Sequence, residues 1–230
     1  MTRKDEIRQA YKELGKAHGF YDGMMTGTTV MGRLVDRAVW HMNRDDILEY
    51  QARALEAIPA DFAGKLLEVP VGTGVISLPF FRTLKKADIT CLDYSAKMME
   101  SAQKRADELG INNVSFVQGD VGDLPFEDES FDAVVSLNGF HAFPDKEAAY
   151  RQTYRVLKKD GIFTGCFYAA EANRKTDRII QSLYVRTGFF TPPFETVDSL
   201  RSRLEKLYKQ VTVSNVQSIV CFSCRGKKDL

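Results

Sequence analysis

From Lys65 onward, short apolar runs alternate with amphipathic segments, and this alternation limits the possible fold more than any other feature. The runs KLLEVPV, DITCLDY, VSFVQGD, FDAVVSL and GIFTGCFY are rich in β-branched and aromatic residues, as strands are. Helical patterns separate these runs except between the third and fourth, where VGDLPFEDES predicts a turn. Strands that alternate with helices form a parallel sheet covered on both faces. We therefore predict an α/β, doubly wound fold.

The two ends of the chain predict additions to that sheet. Helical patterns in TRKDEIRQAYKELGKA and VMGRLVDRAVWHM flank the glycine-rich HGFYDGMMTGTT, which predicts a loop. After Tyr168 come two further helical patterns, the second capped by Thr196 or Asp198, and then VTVSNVQ and SIVCFSCRG, joined tightly enough to be antiparallel. We predict an N-terminal helical cap or lid over residues 1–60. We also predict a Rossmann-like domain over 61–230 with a helical insertion at 171–209, whose seven-stranded, mostly parallel sheet has an antiparallel last strand.

The composition narrows the class of partner. The 32 basic and 31 acidic residues give a net charge of +1, which does not support a nucleic-acid partner. We see no apolar stretch long enough to span a bilayer and no apolar signal-peptide core, so we expect a cytoplasmic protein without an integral membrane segment. Cys221 and Cys224 form a C-x-x-C, but residues three apart on a strand point to opposite faces. We therefore expect no metal site.

The loop after the first predicted strand, LLEVPVGTG, matches a dinucleotide-binding loop only in part. Such a loop has the pattern G-x-G-x-x-G, whereas here Pro70 precedes Gly72 and Gly74, and Ser77 stands in place of the third glycine. In a doubly wound sheet this loop lies at the ligand-binding edge, and its glycines allow close approach and a positive φ. We expect the following helix to begin near Val75, with Pro79 in its first turn.

Glu68 discriminates between possible ligands of this loop. A pyrophosphate about 4 Å from its carboxylate would be repelled by about 4 kcal/mol per charge pair at an effective dielectric constant of about 20. A ligand that carries both an ammonium and a carboxylate fits better. Glu68 would take the ammonium, and the glycine-rich turn and helix start would take the carboxylate. S-adenosylmethionine has these groups, and a nicotinamide dinucleotide does not.

Two further acidic residues close predicted strands. Asp93 ends the second strand, where a carboxylate can accept both hydroxyls of a ribose. Asp120 ends the third strand, where a carboxylate can accept from an adenine amino group while the amide of Val121 donates to a ring nitrogen. Both are also compatible with solvated strand ends. Together, however, they favour an adenosine-containing ligand.

With these features the chain resembles the class I S-adenosylmethionine-dependent methyltransferases, in particular the small-molecule type that includes the ubiquinone/menaquinone C-methyltransferases. The resemblance runs from about residue 20 to residue 168. It is carried by LLEVPVGTG, LDYSAKMMESAQKRA, FVQGDVGDLPFEDESFDAVVSLNGFHAFPD and YRVLKKDG. The family usually has glycine at the position of Pro70 and Pro-Gly-Gly at 159–161, where we expect only a turn. The resemblance implies S-adenosylmethionine as cofactor and S-adenosylhomocysteine as product.

The resemblance also implies site residues. Glu68, Gly72 and Gly74 would hold the methionine end, Asn138 would lie beside it, and Tyr94 and Met98 would flank the adenosine. The full set of expected cofactor-binding residues is Tyr21, Glu68, Pro70, Gly72, Thr73, Gly74, Asp93, Tyr94, Met98, Asp120, Val121 and Asn138.

Two residues are candidates for catalysis. His141 would face the reaction site as a general base, and Tyr21, in a segment like the YD segment of the quinone methyltransferases, would cover the cofactor. Simpler roles remain open for both residues. His141 could cap a turn or pack against Phe140 and Phe143, and Tyr21 could serve local packing.

The predicted function is methyl transfer from S-adenosylmethionine to an O, N or C atom of a small-molecule acceptor, with aromatic and lipid acceptors both open. Phe189, Phe190 and Phe194 could line an apolar substrate pocket or belong to the core. The text SLNGFH, in place of Asn/Asp-Pro-Pro-Tyr/Phe, disfavours a nucleic-acid methyltransferase, and Glu68 with Pro70 disfavours a nicotinamide oxidoreductase. A non-catalytic cofactor-binding protein of the same fold stays open, as does a monomer or a dimer.

Overall fold

The computed structural model describes residues 18–228 and contains the predicted sheet. Its strands are β1 (Lys65–Glu68), β2 (Asp88–Asp93), β3 (Val114–Gln118), β4 (Phe131–Leu137), β5 (Leu157–Tyr168), β6 (Tyr208–Val216) and β7 (Ile219–Lys227). They lie in the order β3-β2-β1-β4-β5-β7-β6. β7 runs antiparallel to β5 and β6, and the pairs among β1 to β5 are parallel. The predicted fold class and antiparallel last strand are therefore confirmed.

Helices cover the sheet and precede it. They are α1 (His18–Thr26), α2 (Val30–Val35), a π-helical turn π1 (Asp36–Trp40), α3 (Arg44–Leu55), α4 (Ser77–Phe81), α5 (Ala96–Leu109), α6 (Lys146–Val156), α7 (Arg174–Ile179), a second π-helical turn π2 (Ile180–Tyr184) and α8 (Val197–Leu207). Gly110 ends α5 with φ 66°, and Thr196, one of the two predicted candidates, caps α8. Within residues 18–228, no helix combines the length and the apolar composition needed to cross a bilayer.

The strands bury side chains on both faces of the sheet. In β1, Leu66 packs into one apolar cluster and Leu67 into the other. Cys221 and Cys224 divide between the same two clusters, so the C-x-x-C does point to opposite faces, as predicted. Both thiols are free and buried.

The loop prediction for HGFYDGMMTGTT is wrong for most of its length, since residues 18–26 form α1. Gly23 of α1 and Gly32 of α2 allow the two helices to pack closely. A Cβ on Gly32 would lie 2.3 Å from the carbonyl oxygen of Gly23, and a Cβ on Gly23 would lie 2.4 Å from Thr29 Oγ1. Gly27 follows the helix with φ 61°. The helix predicted within residues 2–17 lies outside the described residues.

The turn expected at residues 159–161 is also wrong, because these residues lie within β5. Phe131 pairs with Leu157 and Ala133 pairs with Ile162, so β5 places extra residues opposite β4. The predicted turn is therefore a bulge in a continuous strand. The turn predicted between β3 and β4 is present, and Asp123 N donates to Asp120 O there at 3.0 Å.

Candidate active site

Two glycines in left-handed conformations shape the loop between β1 and α4. Gly72 has φ 56° and Gly74 has φ 66°, so both use the positive φ that glycine allows. A Cβ on Gly74 would lie 2.4 Å from Leu78 Cδ1, which leaves no room for a larger residue. Pro79 falls in the first turn of the short helix α4, as predicted.

Pro70 connects this loop to the loop that follows β4. It follows a cis peptide bond, and a Cβ on Gly139 would lie 2.4 Å from Pro70 Cδ. The amides on either side form hydrogen bonds to the neighbouring strands, that of Val69 at 2.9 Å and that of Val71 at 3.0 Å. A proline therefore fits between two loops that approach closely, and both flanking hydrogen bonds are kept.

A cavity opens above this loop, and it gathers the predicted cofactor residues apart from Met98. Met98 is buried in α5 and does not line the cavity. We call this space the first cavity. The predicted residues that line it are Tyr21, Glu68, Pro70, Gly72, Thr73, Gly74, Asp93, Tyr94, Asp120, Val121 and Asn138.

Glu68 is a buried acid in the wall of this cavity. Its side chain is 1% exposed, and Cys91 Sγ donates to its Oε2 at 3.7 Å. No basic side chain of the described residues forms an ion pair with it. Burial raises the pKa of the carboxyl group to about 8. A buried carboxyl without a cation fits a ligand that brings an ammonium group.

Asp93 has a structural function beyond the predicted ribose contact. Its Oδ2 accepts from Gly72 N at 2.8 Å, and its Oδ1 accepts from Ser95 N at 2.8 Å. The carboxylate thus joins the glycine-rich loop to the start of α5. Burial raises the pKa of Asp93 to about 6. A carboxylate oxygen has two acceptor sites, so each oxygen can still accept from a ribose hydroxyl.

A polar cluster that the sequence did not predict ties α1 to the glycine-rich loop. Thr73 Oγ1 donates to Asp22 Oδ1 at 2.6 Å, and Arg105 of α5 pairs with Asp22 Oδ2. Arg105 Nε also donates to Thr73 O at 3.1 Å. We call these three residues the latch. Its only signal in the sequence is the position of Asp22 directly after Tyr21.

A second cavity, of about 440 Å³, lies beside the first. Its lining is mostly apolar and aromatic and comes from α1 to α3, from π2 and the loop after it, and from the ends of strands. Phe189 and Phe190 line it, whereas Phe194 packs on Tyr168 at 5.2 Å. The lining residues are Tyr21, Met24, Met25, Val35, Asp36, Val39, Trp40, Met42, Ile47, Tyr50, Asn138, His141, Leu183, Tyr184, Thr187, Phe189, Phe190 and Ile219.

The two cavities meet at Tyr21, Met25 and Asn138, which line both. Asn138 follows β4 with φ 54°, a conformation that is uncommon outside glycine, and its Nδ2 lies 3.7 Å from Met25 Sδ. The pKa of Tyr21 is raised far above its usual range by burial, with a further rise from the charges of Asp93 and Asp22. Tyr21 therefore presents a protonated hydroxyl at this junction.

His141 lines the second cavity as a neutral ring. Its Nδ1 accepts from Tyr168 N at 3.1 Å, and the ring stacks on Phe190 at 4.0 Å rather than on the two neighbouring phenylalanines. Its pKa is lowered to about 3, mainly by burial and in smaller part by the charge of Lys146. Because Nδ1 accepts, the proton of the neutral ring lies on Nε2. This geometry favours a hydrogen-bond donor over a general base, and a catalytic role for His141 stays a prediction.

Comparison with known proteins supports the resemblance to methyltransferases. Residues 66–161 match the methyltransferase domain family model. The demethylmenaquinone methyltransferase of Thermotoga maritima is 32% identical over 139 residues, which cover 60% of this chain and 58% of that protein. The ubiquinone/menaquinone biosynthesis C-methyltransferase of Bartonella henselae is 38% identical over 107 residues, 46% of this chain and 41% of that protein. The chain thus spans about half the length of these curated relatives.

A solved structure shows that the fold is shared as well. A Thermotoga maritima protein described as an S-adenosylmethionine-dependent methyltransferase, possibly a histamine N-methyltransferase, superposes with a TM-score of 0.61 at 19% identity. The match covers 84% of this chain and 91% of that one. Residues 66–161 are thus similar in sequence to a methyltransferase domain, and the chain shares its fold with this solved structure.

Proposed function

We propose that this chain transfers a methyl group from S-adenosylmethionine to a small, largely apolar acceptor. The observation that carries the proposal is the pair of adjoining cavities. One is built from the family's cofactor loop, the other is apolar, and they meet at Tyr21, Met25 and Asn138. A donor in the first cavity and an acceptor in the second would be neighbours, and such placement accounts for much of the rate of a two-substrate reaction.

The residues of the first cavity suit the cofactor. Glu68 would take the ammonium group, Asp93 would accept from the ribose hydroxyls, and Asp120 with Val121 would receive the adenine. When bound, S-adenosylmethionine supplies a methyl group already activated by a positively charged sulfur. The chain's own contribution is then to hold and orient both molecules and to exclude water.

The residues around the junction indicate which kind of acceptor would react. Tyr21 stays protonated, and His141 holds its proton on Nε2 with a pKa of about 3. Neither is suited to remove a proton near neutral pH. An acceptor that is nucleophilic without a strong base, such as an electron-rich ring carbon of a hydroquinone or a neutral amine, fits this site better than an aliphatic alcohol does.

The names of the relatives support a ring-shaped acceptor. Demethylmenaquinone methyltransferase and ubiquinone/menaquinone C-methyltransferase are named for quinone substrates. The N-terminal helices within 1–60 and the insertion at 171–209 line most of the second cavity, as a cap over the Rossmann-like domain would. We also propose that the protein is cytoplasmic.

The test is turnover of S-adenosylmethionine to S-adenosylhomocysteine with a panel of hydroquinones, phenols and aromatic amines. We expect turnover with at least one ring compound. We also expect Val39→Phe, which narrows the second cavity, to lower turnover and to leave the binding of S-adenosylmethionine intact. Binding without turnover across the panel would favour the non-catalytic alternative, and no binding would contradict the cofactor assignment.

A further inference from the structure

One carboxyl group interrupts the apolar lining of the second cavity. Asp36 lines this cavity and is 4% exposed, and its Oδ2 is buried without a hydrogen-bond partner. Of the described residues that line the cavity, none is a lysine or an arginine, and His141 is neutral. An unpaired polar group in a buried site is costly, so its presence calls for a function.

Aromatic and aliphatic side chains make up most of the lining that Asp36 shares. Trp40 lies 6.1 Å from Tyr184 and 6.1 Å from Phe190, and both contacts form part of the cavity wall. Burial raises the pKa of Tyr50 and of Tyr184, and the charge of Asp36 adds to both shifts. Burial also raises the pKa of Asp36 itself to about 7. A flat, apolar molecule would therefore meet one acidic group in this cavity.

The backbone around Asp36 is also unusual. Asp36 begins the π-helical turn π1, and the second π-helical turn, π2, places Leu183 and Tyr184 in the same cavity. Such turns are rare and occur frequently at functional sites. Two of them on one cavity indicate that its shape is adapted to a ligand.

Asp36 lies away from the junction. Tyr21, Met25 and Asn138 line both cavities, whereas Asp36 lines only the second. A group bound at Asp36 would therefore lie in the part of the second cavity that the first cavity does not share.

We propose that Asp36 accepts a hydrogen bond from a hydroxyl or amino group of the acceptor and thereby fixes which edge of its ring faces the junction. The proposal rests on the proposed function and narrows its substrate class to apolar rings with at least one hydrogen-bond donor. Asp36 is then a specificity residue. A carboxylate that loses its bound donor remains buried and unpaired, so rings without a donor are disfavoured.

The test measures binding in this cavity without turnover. Trp40 is the only tryptophan in the sequence and lines the second cavity, so its fluorescence reports occupancy there. The probes are p-cresol, p-toluidine and p-xylene, which have the same size and carry a hydroxyl, an amino group and a methyl group. Their dissociation constants are compared between the natural chain and Asp36→Leu, with Asp36→Asn as a second variant of unchanged size.

We expect Asp36→Leu to weaken p-cresol, p-toluidine or both by tenfold or more relative to p-xylene, and the affected probe identifies the donor. Asp36→Asn keeps an acceptor oxygen and should cause a smaller loss. The matched control is Thr187→Val, because Thr187 Oγ1 already donates to Leu183 O at 3.0 Å. This variant should change the three affinities alike.

Equal changes for the three probes in both Asp36 variants would overturn the proposal. So would a lower melting temperature in Asp36→Leu with no donor-specific loss, because Asp36 would then be a structural residue. The measurement needs neither S-adenosylmethionine nor turnover. Failure of the proposed function and failure of this proposal can therefore be told apart.

Discussion

Binding of S-adenosylmethionine should release a proton from Glu68. In the structure this carboxyl group is 1% exposed, has a pKa raised to about 8 by burial, and has no cation beside it among the described residues. An ammonium group within about 4 Å would favour the ionised form and lower that pKa strongly. The ligand and the proton therefore compete for the same carboxylate.

The size of the effect follows from the pKa of Glu68. At pH 7 a group with a pKa of about 8 is about nine-tenths protonated, while the α-amino group of the free ligand, with a pKa of about 7.7–8.0, takes up about 0.1 proton, so binding should release about 0.8 proton net. At pH 9 Glu68 is about nine-tenths ionised and the free amino group is mostly neutral, so binding should instead take up about 0.8 proton. Asp93, with a pKa of about 6, is already mostly ionised at pH 7 and adds little. Affinity for the cofactor should be highest near pH 8, because Glu68 is protonated below that pH and the amino group of the ligand is neutral above it.

Calorimetry in phosphate and in Tris measures the number of protons released on binding. The observed binding enthalpy changes with the ionisation enthalpy of the buffer in proportion to that number. Glu68→Gln should bring the release at pH 7 close to zero and remove the rise of affinity with pH below about pH 8. Glu108→Gln, whose side chain is 65% exposed on α5, is the control and should behave like the natural chain. A release below about 0.3 proton in the natural chain, or the same release in Glu68→Gln, would refute the reasoning.

Three further predictions test other parts of the site. Asp93→Ala should weaken S-adenosylmethionine binding by about 1.5–3 kcal/mol in calorimetry, the range for hydrogen bonds to a charged group, whereas Asp88→Ala at the exposed start of β2 should not. His141→Ala should lower turnover and leave cofactor affinity near normal. Because its pKa is held near 3, an inflection between pH 5 and 8 that disappears in this variant would contradict the neutral-donor assignment. Asp22→Asn and Arg105→Gln should show a coupling of about 1 kcal/mol or more in a double-mutant cycle of urea unfolding, since both side chains are largely buried, and simple additivity would count against the latch.

Local periodicity was sufficient to predict the sheet. The β-branched runs, the turn in place of a helix after β3 and the tight connection of the last strands each depend on neighbouring residues only. The wrong prediction of a loop before α2 came from the glycine-rich composition of that segment. A glycine-rich segment looks the same whether it turns or lets two helices approach, and the contact between Gly23 and Gly32 is not visible along the chain. The prediction of a turn at residues 159–161 failed for the same reason, because the bulge in β5 depends on pairing with β4.

The residues of the candidate site likewise divide into those that local sequence predicts and those that depend on distant contacts. Glu68, Asp93 and Asp120 were predictable because acidic residues at strand ends meet at one edge of a parallel sheet. The latch joins residues 51 and 83 positions apart, and no sequence pattern links them. The tautomer of His141 depends on an amide 27 residues away. Asp36 is a polar position in the helical pattern VMGRLVDRAVWHM, and its burial in the second cavity is not visible along the chain.

Helix α1 covers both cavities. Tyr21 and Met25 line each of them, and the latch holds the same helix against the glycine-rich loop through Asp22. Any movement of α1 that admits one ligand therefore loosens the enclosure of the other. Under the proposed function, cofactor and acceptor would therefore both depend on the position of this one helix for entry and release. The exchange of spent cofactor and the escape of methylated product should be governed by the same opening event.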